Sequence, residues 1–223
     1  MAHDFDKDYW ERHWDEARGP AAAAGEASAE NPHLGREITD LATGTALDAG
    51  CGTGADAIWL ARRGWQVTAA DISAAALDQA AERAAGATGA ERVTWLEADL
   101  TTWAPADKFD LVTTSYAHPA IPQLAFYRRI AGWVAPGGTL LIVGHLHEPA
   151  TAGHAHGHEH GHADGPGEQP PAEATVTVPD ISGLLDPALW QIESAEERTR
   201  AVTGPEGRAL PLRDAIVRAT RLA

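Results

Sequence analysis

Asp48-Ala-Gly50-Cys51-Gly52-Thr53-Gly54 leaves a short apolar run, Ala46 to Ala49, and enters a helix-forming run through Ala55, Ile58, Trp59 and Leu60. Glycines at such a strand-to-helix turn permit positive φ and let a ligand approach the backbone closely. Formally, Gly50-x-Gly52-x-x-Ala55 satisfies the dinucleotide fingerprint, with Asp71 placed as the ribose-binding acid after the second strand. Asp48 argues against that ligand, because a carboxylate at the first strand's end would repel a pyrophosphate. The same acid attracts S-adenosylmethionine, which has no phosphate and carries a cationic α-ammonium and sulfonium. Asp71 can then accept both ribose hydroxyls. Asp99 ends the third strand, where the adenine amino group of that cofactor would lie.

These residues need an alternating scaffold to hold them. Strands are expected at 46–49, 66–70, 92–97, 109–114 and 140–144, with helices between them: one through Ile58 to Gly64, one capped by Ser73 and running to Ala85, and one opened by Pro122 and broken at Pro136-Gly137-Gly138. Such alternation implies right-handed crossovers and an α/β fold with a mostly parallel sheet covered on both faces. Ahead of it, the aromatic spacing of Phe5, Tyr9, Trp10 and Trp14 predicts a short helix over 4–17, and Leu34, Ile38 and Leu41 mark a second helix ending at Gly44. Beyond the fifth strand, residues 145–172 read as an irregular insertion. A helix over 181–189, a strand at 190–196, the turn Gly204-Pro205-Glu206-Gly207 and a last strand at 215–219 follow. This hairpin-like pair puts the last strand antiparallel.

Composition narrows the partners. Seventeen basic against 32 acidic residues give a net charge of −15, and no basic cluster is present to collect a phosphate backbone, so a nucleic-acid partner is not expected. No apolar run reaches the roughly 18 residues of a membrane helix, and the acidic, aromatic N-terminus lacks the features of a signal peptide. Cys51 is the single cysteine, which rules out an internal disulfide and a cysteine zinc site and favours a cytoplasmic protein. The expected partner is a small molecule, with the chain as a monomer or weak homodimer.

Taken together, the acid-x-Gly-x-Gly-x-Gly turn, the second-strand acid, the Asp99-Leu100 pair and Pro136-Gly137-Gly138 before strand five resemble the class I S-adenosylmethionine-dependent methyltransferases over residues 45 to 145. The resemblance implies a Rossmann-like three-layer sandwich around a seven-stranded, mostly parallel sheet with the last strand antiparallel. By the same resemblance Asp48 and Gly50 meet the methionine end, Gly52 and Gly54 line the turn with Cys51 between the glycines, and Asp71 holds the ribose. Ile72 flanks adenine, Asp99 and Leu100 meet its edge, and Ser115 closes the site. Asn31-Pro32, the run Asp56 to Ala61 with Arg63-Gly64-Trp65, and Tyr127-Arg128-Arg129 look like the small bacterial enzymes related to tellurite-resistance and thiopurine methyltransferases. On this division residues 1–30 cap the site and 31–223 form the methyltransferase domain.

Methyl transfer from a sulfonium is an in-line displacement that needs proximity and a deprotonated nucleophile. A soft anion such as a thiolate or metalloid oxyanion needs no base. A hydroxyl or amine acceptor would, and Tyr116, His118, His145 and His147 stand on the loops after strands four and five, where such a base must sit. Trp14, with Trp10, offers an aromatic wall that suits a sulfonium. Seven of the eleven histidines lie between His145 and His162. His154, His156, His158, His160 and His162 alternate, so an extended chain would put five imidazoles on one face able to bind zinc or nickel weakly. Two other readings stay open: methylation of a natural product or protein side chain, and a non-catalytic metal-handling protein built on the histidine-rich loop.

Overall fold

The computed structural model describes residues 5–17, 30–146, 174–203 and 209–223. In chain order it comprises α1 (Lys7–Glu16), α2 (Leu34–Ile38), β1 (Thr45–Ala49), α3 (Ala55–Arg62), β2 (Gln66–Asp71), α4 (Ala74–Ala84), β3 (Val93–Glu97), β4 (Phe109–Ser115), α5 (Gln123–Ala131), β5 (Val134–Leu146), β6 (Thr175–Val176), α6 (Val178–Ser182), β7 (Trp190–Thr203) and β8 (Ala209–Arg221). The sheet order is β3-β2-β1-β4-β5-β8-β7, with β6 paired to β5 beside that path. β1 to β5 run parallel, and β8 enters antiparallel between β5 and β7.

Period-two alternation sorts the sheet's side chains into two cores. Leu47, Val112, Leu140, Ile142 and Val217 face α5 and α6, meeting Phe126, Ile130 and Ile181. Ala46, Leu111, Leu141, Val143 and Ile216 face the other way, onto Leu34 and Ile38 of α2 and Ala57, Leu60 and Ala61 of α3. The result is the expected three-layer sandwich. Both faces of β1 are covered, so its residues from Ala46 to Ala49 are all buried and their carboxyl end is fixed by packing.

Several expectations are corrected. The sheet has an eighth, two-residue strand, β6, because the chain returning after the insertion pairs with the end of β5 at His145↔Thr175. His145 and Leu146 accordingly belong to β5 rather than to the insertion. Pro136-Gly137-Gly138 lies within β5 and is absorbed by a register shift between Phe109 and Leu111, with Gly137 at φ +78°. Helix 181–189 is replaced by α6 over Val178–Ser182, capped by Thr177, whose Oγ1 accepts the Asp180 N–H at 3.2 Å. Pro187 disfavours the helical conformation for Asp186, and the Asp186 carboxylate instead accepts the Ala188 N–H at 2.9 Å in a turn. The helix expected to reach Gly44 ends at Ile38, and the final hairpin is longer than expected, pairing Trp190↔Arg221 through to Thr203↔Ala209.

Candidate active site

The carboxyl ends of β1, β2, β4 and β5 open into a cavity of about 760 Å³. Its first half is built around the glycine turn. The N–H groups of Gly50 and Cys51 both donate to Ala70 O, at 2.8 and 3.0 Å, which ties the turn to β2. Gly50 sits at φ +79°, and a Cβ there would come 2.3 Å from the Ala117 Cβ, so only glycine fits. Gly54, the left-handed N-cap of α3, does not line the cavity. A Cβ on it would strike Trp95 at 2.5 Å, so this glycine serves helix-to-strand packing.

Three carboxyls crowd this half. Asp48 is 2% exposed and its Oδ2 has no hydrogen-bond partner. Burial, with Asp56 and Asp71 close by, pushes its carboxyl well above the usual carboxylate range. Asp56, in the first turn of α3, accepts the Asn31 N–H at 2.6 Å and the Ser115 hydroxyl at 2.9 Å, and burial raises it too. Asp71 accepts the N–H groups of Gly52 at 2.8 Å and Ser73 at 3.0 Å, and is likewise raised by burial. Among the described residues none of the three has an ion-pair partner. Ile72, Asp99 and Leu100 line the same half. Asp99 lies two residues past β3 rather than on it, and accepts the Thr101 N–H at 2.8 Å.

Residues of α1 and the turn before it line this half. Glu11 accepts the Ser73 hydroxyl at 2.9 Å and the N–H groups of Ala74 and Ala75 at 3.0 and 3.1 Å, so a residue of α1 caps α4. Although burial opposes it, those hydrogen bonds hold the Glu11 carboxyl below its ordinary value. Gln79 donates to Trp14 O at 3.0 Å, Trp10 Nε1–H donates to His118 O at 3.1 Å, and Lys7 pairs with Glu97. Trp14 lies over Gly52, with Cζ2 only 3.2 Å from where a Cβ would stand.

The second half gathers Tyr116 and His118 from the loop after β4 and His145 from the end of β5 itself. The Tyr116 and His145 rings stack at 4.6 Å, and His118 lies 5.5 Å from His145. Tyr116 is held at φ +56°, a strained conformation for a bulky side chain. Behind it stands a charged group absent from the sequence reading. Arg200 on β7 covers the Tyr116 ring at 4.7 Å and sets its Nε 2.9 Å from Asp214 Oδ2, and His33 Nε2 lies 2.9 Å from the same oxygen. Asp214 is fully buried on β8. Burial first, then the Asp214 carboxylate, pushes the Tyr116 hydroxyl far above its ordinary range.

Of the described residues expected at the cavity, all but Gly54 line this space, and Asp56, Asn31, Phe5 and Arg200 join it unforeseen. Asp56 had a local signal, an acid in the first turn of the helix leaving the glycines. Arg200 and Asp214 had only a weak one, a carboxylate beside the apolar run Ala215-Ile216-Val217. The five alternating histidines from His154 to His162, and His147, lie outside the described residues. Among those described, no cluster of three or more histidine, cysteine or acidic side chains could hold a metal ion.

A methyltransferase-domain family matches residues 46–138, the segment from β1 into β5. A probable thiol methyltransferase of Arabidopsis thaliana is 32% identical over 136 residues, 59% of each chain. An uncharacterised methyltransferase of Mycobacterium tuberculosis is 42% identical over 108 residues, 48% of this chain and 53% of that one. The match thus spans little more than half the length of these relatives. Among solved structures, TehB from Haemophilus influenzae shares the fold, with a TM-score of 0.64 at 15% identity over 96% of this chain and 67% of that one. Residues 46–138, which carry the glycine turn and its strand-end acids, are thus similar to methyltransferase domains, and the whole chain shares the fold of a solved TehB.

Proposed function

We propose that the chain transfers a methyl group from S-adenosylmethionine to a small, soft nucleophile such as a thiol or metalloid oxyanion. The observation that carries this reading is the set of three buried carboxyls around the glycine turn with no cation paired to them among the described residues. Asp48, whose Oδ2 has no hydrogen-bond partner and whose residue lines the cavity, fits an α-ammonium. Asp71 suits ribose hydroxyls, Ile72, Asp99 and Leu100, which line the same half, suit adenine, and Trp14 beside Gly52 suits the methionine arm. The bound cofactor supplies an electrophilic methyl on a sulfonium. Residues 5–17 act as the cap that keeps water from that methyl.

At the other end, the raised Tyr116 hydroxyl stays protonated near neutral pH, so it serves as a donor or a wall and not as a base. An acceptor that arrives as a soft anion fits that setting. Its lone pair forms the bond to the methyl carbon, the electron pair of the broken carbon–sulfur bond stays on sulfur, and no proton is released. The thiol-methyltransferase relative supports the same acceptor class. His118 and His145 are the groups available as a base for an amine or hydroxyl acceptor.

Calorimetric titration with S-adenosylmethionine tests the premise, with Asp71→Ala expected to weaken binding by about 1–3 kcal/mol. A screen of thiols, selenite, tellurite and arsenite, read by S-adenosylhomocysteine release, tests the acceptor. No binding at about millimolar cofactor, far weaker than cofactor sites of this size, overturns the reading.

A further inference from the structure

The cavity is electrostatically lopsided. Seven acidic side chains line it, against two cations, Lys7 and Arg200. Lys7 is paired with Glu97 at the cofactor half, which leaves Arg200 as the cation of the acceptor half among the described residues. A chain of net charge −15 repels anions at long range, so an anionic acceptor requires a local cation to collect it.

Arg200 is built to be that cation. Diagonal placement across the β7–β8 pair brings its Nε to Asp214 Oδ2, and the Tyr116 ring beneath the guanidinium fixes the plane of the fork. Asp214 engages the Nε side, and the terminal N–H groups of a guanidinium form a planar pair suited to a carboxylate or a similar anion. The side chain keeps 22% of its surface exposed and lines the cavity, whereas Asp214 beneath it keeps none. Asp214 also has His33 on the same oxygen, so Arg200 is not its sole hydrogen-bond partner. A guanidinium stacked on a strained tyrosine at the cavity wall serves recognition better than it serves stability.

We propose that the methyl acceptor carries a negative charge and that Arg200 is the residue that selects it. This rests on the methyl-transfer reading above and names its substrate class. The charge recognised is either a carboxylate of the acceptor or the nucleophilic atom itself, and the guanidinium fork accommodates both.

The test titrates three probes into wild-type protein loaded with S-adenosylhomocysteine: mercaptoacetate, the neutral mercaptoacetamide and hydrosulfide. Mercaptoacetate is expected to bind about tenfold or more tightly than mercaptoacetamide, with the preference lost in Arg200→Gln and partly kept in Arg200→Lys. Hydrosulfide binding that also falls in Arg200→Gln assigns the recognised charge to the nucleophile, and hydrosulfide binding that does not fall assigns it to the carboxylate. Equal binding of acid and amide by the wild-type protein, no binding of either, or a preference that survives in Arg200→Gln overturns the proposal. The wild-type comparison and Arg200→Lys, which keeps a cation beside Asp214, decide the matter even if Arg200→Gln folds poorly. Failure of S-adenosylhomocysteine itself to bind is a separate result that removes the underlying methyl-transfer reading.

Discussion

The two halves of the cavity bury carboxylates in opposite ways. Around the glycine turn, Asp48, Asp56 and Asp71 are buried with no cation paired to them among the described residues, and all three are raised. Beneath the acceptor half, Asp214 is buried more completely and is bracketed by Arg200 and His33. A buried carboxylate left without a counter-charge costs the protein stability that a cationic ligand can restore, whereas a paired one is part of the scaffold. The glycine-turn half thus has the electrostatics that suit a cation, and the other half is a pre-charged wall. One half carries buried carboxyls without a counter-charge among the described residues, and the other does not.

Breaking the paired side should cost most. Asp214→Ala leaves the Arg200 guanidinium without its buried partner and removes the link from β8 to His33, so it is expected to destabilise the fold by about 3–5 kcal/mol. Urea unfolding followed by tryptophan fluorescence measures it. A loss under about 1 kcal/mol, the worth of a surface pair, would place Asp214 in the same unneutralised class as Asp48 and dissolve the contrast.

The same two halves differ in how far they could be read from the sequence. The cofactor half was legible because its parts are local: strand, turn and helix are contiguous from Ala46 to Arg62, and Ser73 caps α4 as expected, accepting the Ala76 N–H at 3.2 Å. Three neighbouring strands, β1, β2 and β3, carry its acids at or just past their carboxyl ends, and alternation of strand and helix fixes which ends those are. The acceptor half joins residues far apart in the chain. His33 meets Asp214 across 181 positions, and Arg200 reaches it only because β7 and β8 pair in one register. No spacing rule encodes that meeting, so Arg200 read as a surface charge. Asp56 escaped for a different reason, since an acid in a helix's first turn is ordinary until Asn31 and Ser115 are seen to converge on it.

A pH series sharpens the contrast from the unpaired side. Folding raises Asp48, Asp56 and Asp71 above their unfolded values near 4, so the stability these groups contribute is fully present below about pH 4 and is lost as pH climbs through the raised values. Without cofactor, the urea midpoint of the wild type should therefore fall relative to Asp48→Asn as pH rises above about 4, since the variant carries one fewer raised acid. At neutral pH Asp48→Asn should be the more stable protein and the weaker binder of S-adenosylmethionine. A variant no more stable than the wild type at any pH would show that the three acids are neutralised after all.

The smallest expected effect lies at the join between the cap and the cofactor half. Glu11 is an acid like the others, yet it is held low, because it is spread over three donors at the α4 N-terminus and sits in the field of the helix ends. Its contribution has the opposite sign in pH: present above its unfolded value and lost as pH falls through the lowered one. Glu11→Ala should cost about 1 kcal/mol, since α4 keeps Ser73 as its own cap and loses only the reinforcement from α1. The consequence is local. Amide exchange should quicken in α1, around Trp10 and Trp14, while α4 stays protected, and the affinity for S-adenosylmethionine should drop severalfold as Trp14 loses its fixed seat over Gly52. Exchange that quickens equally in α4 would mean that Glu11 holds up the helix rather than the cap, and that the cofactor half closes without it.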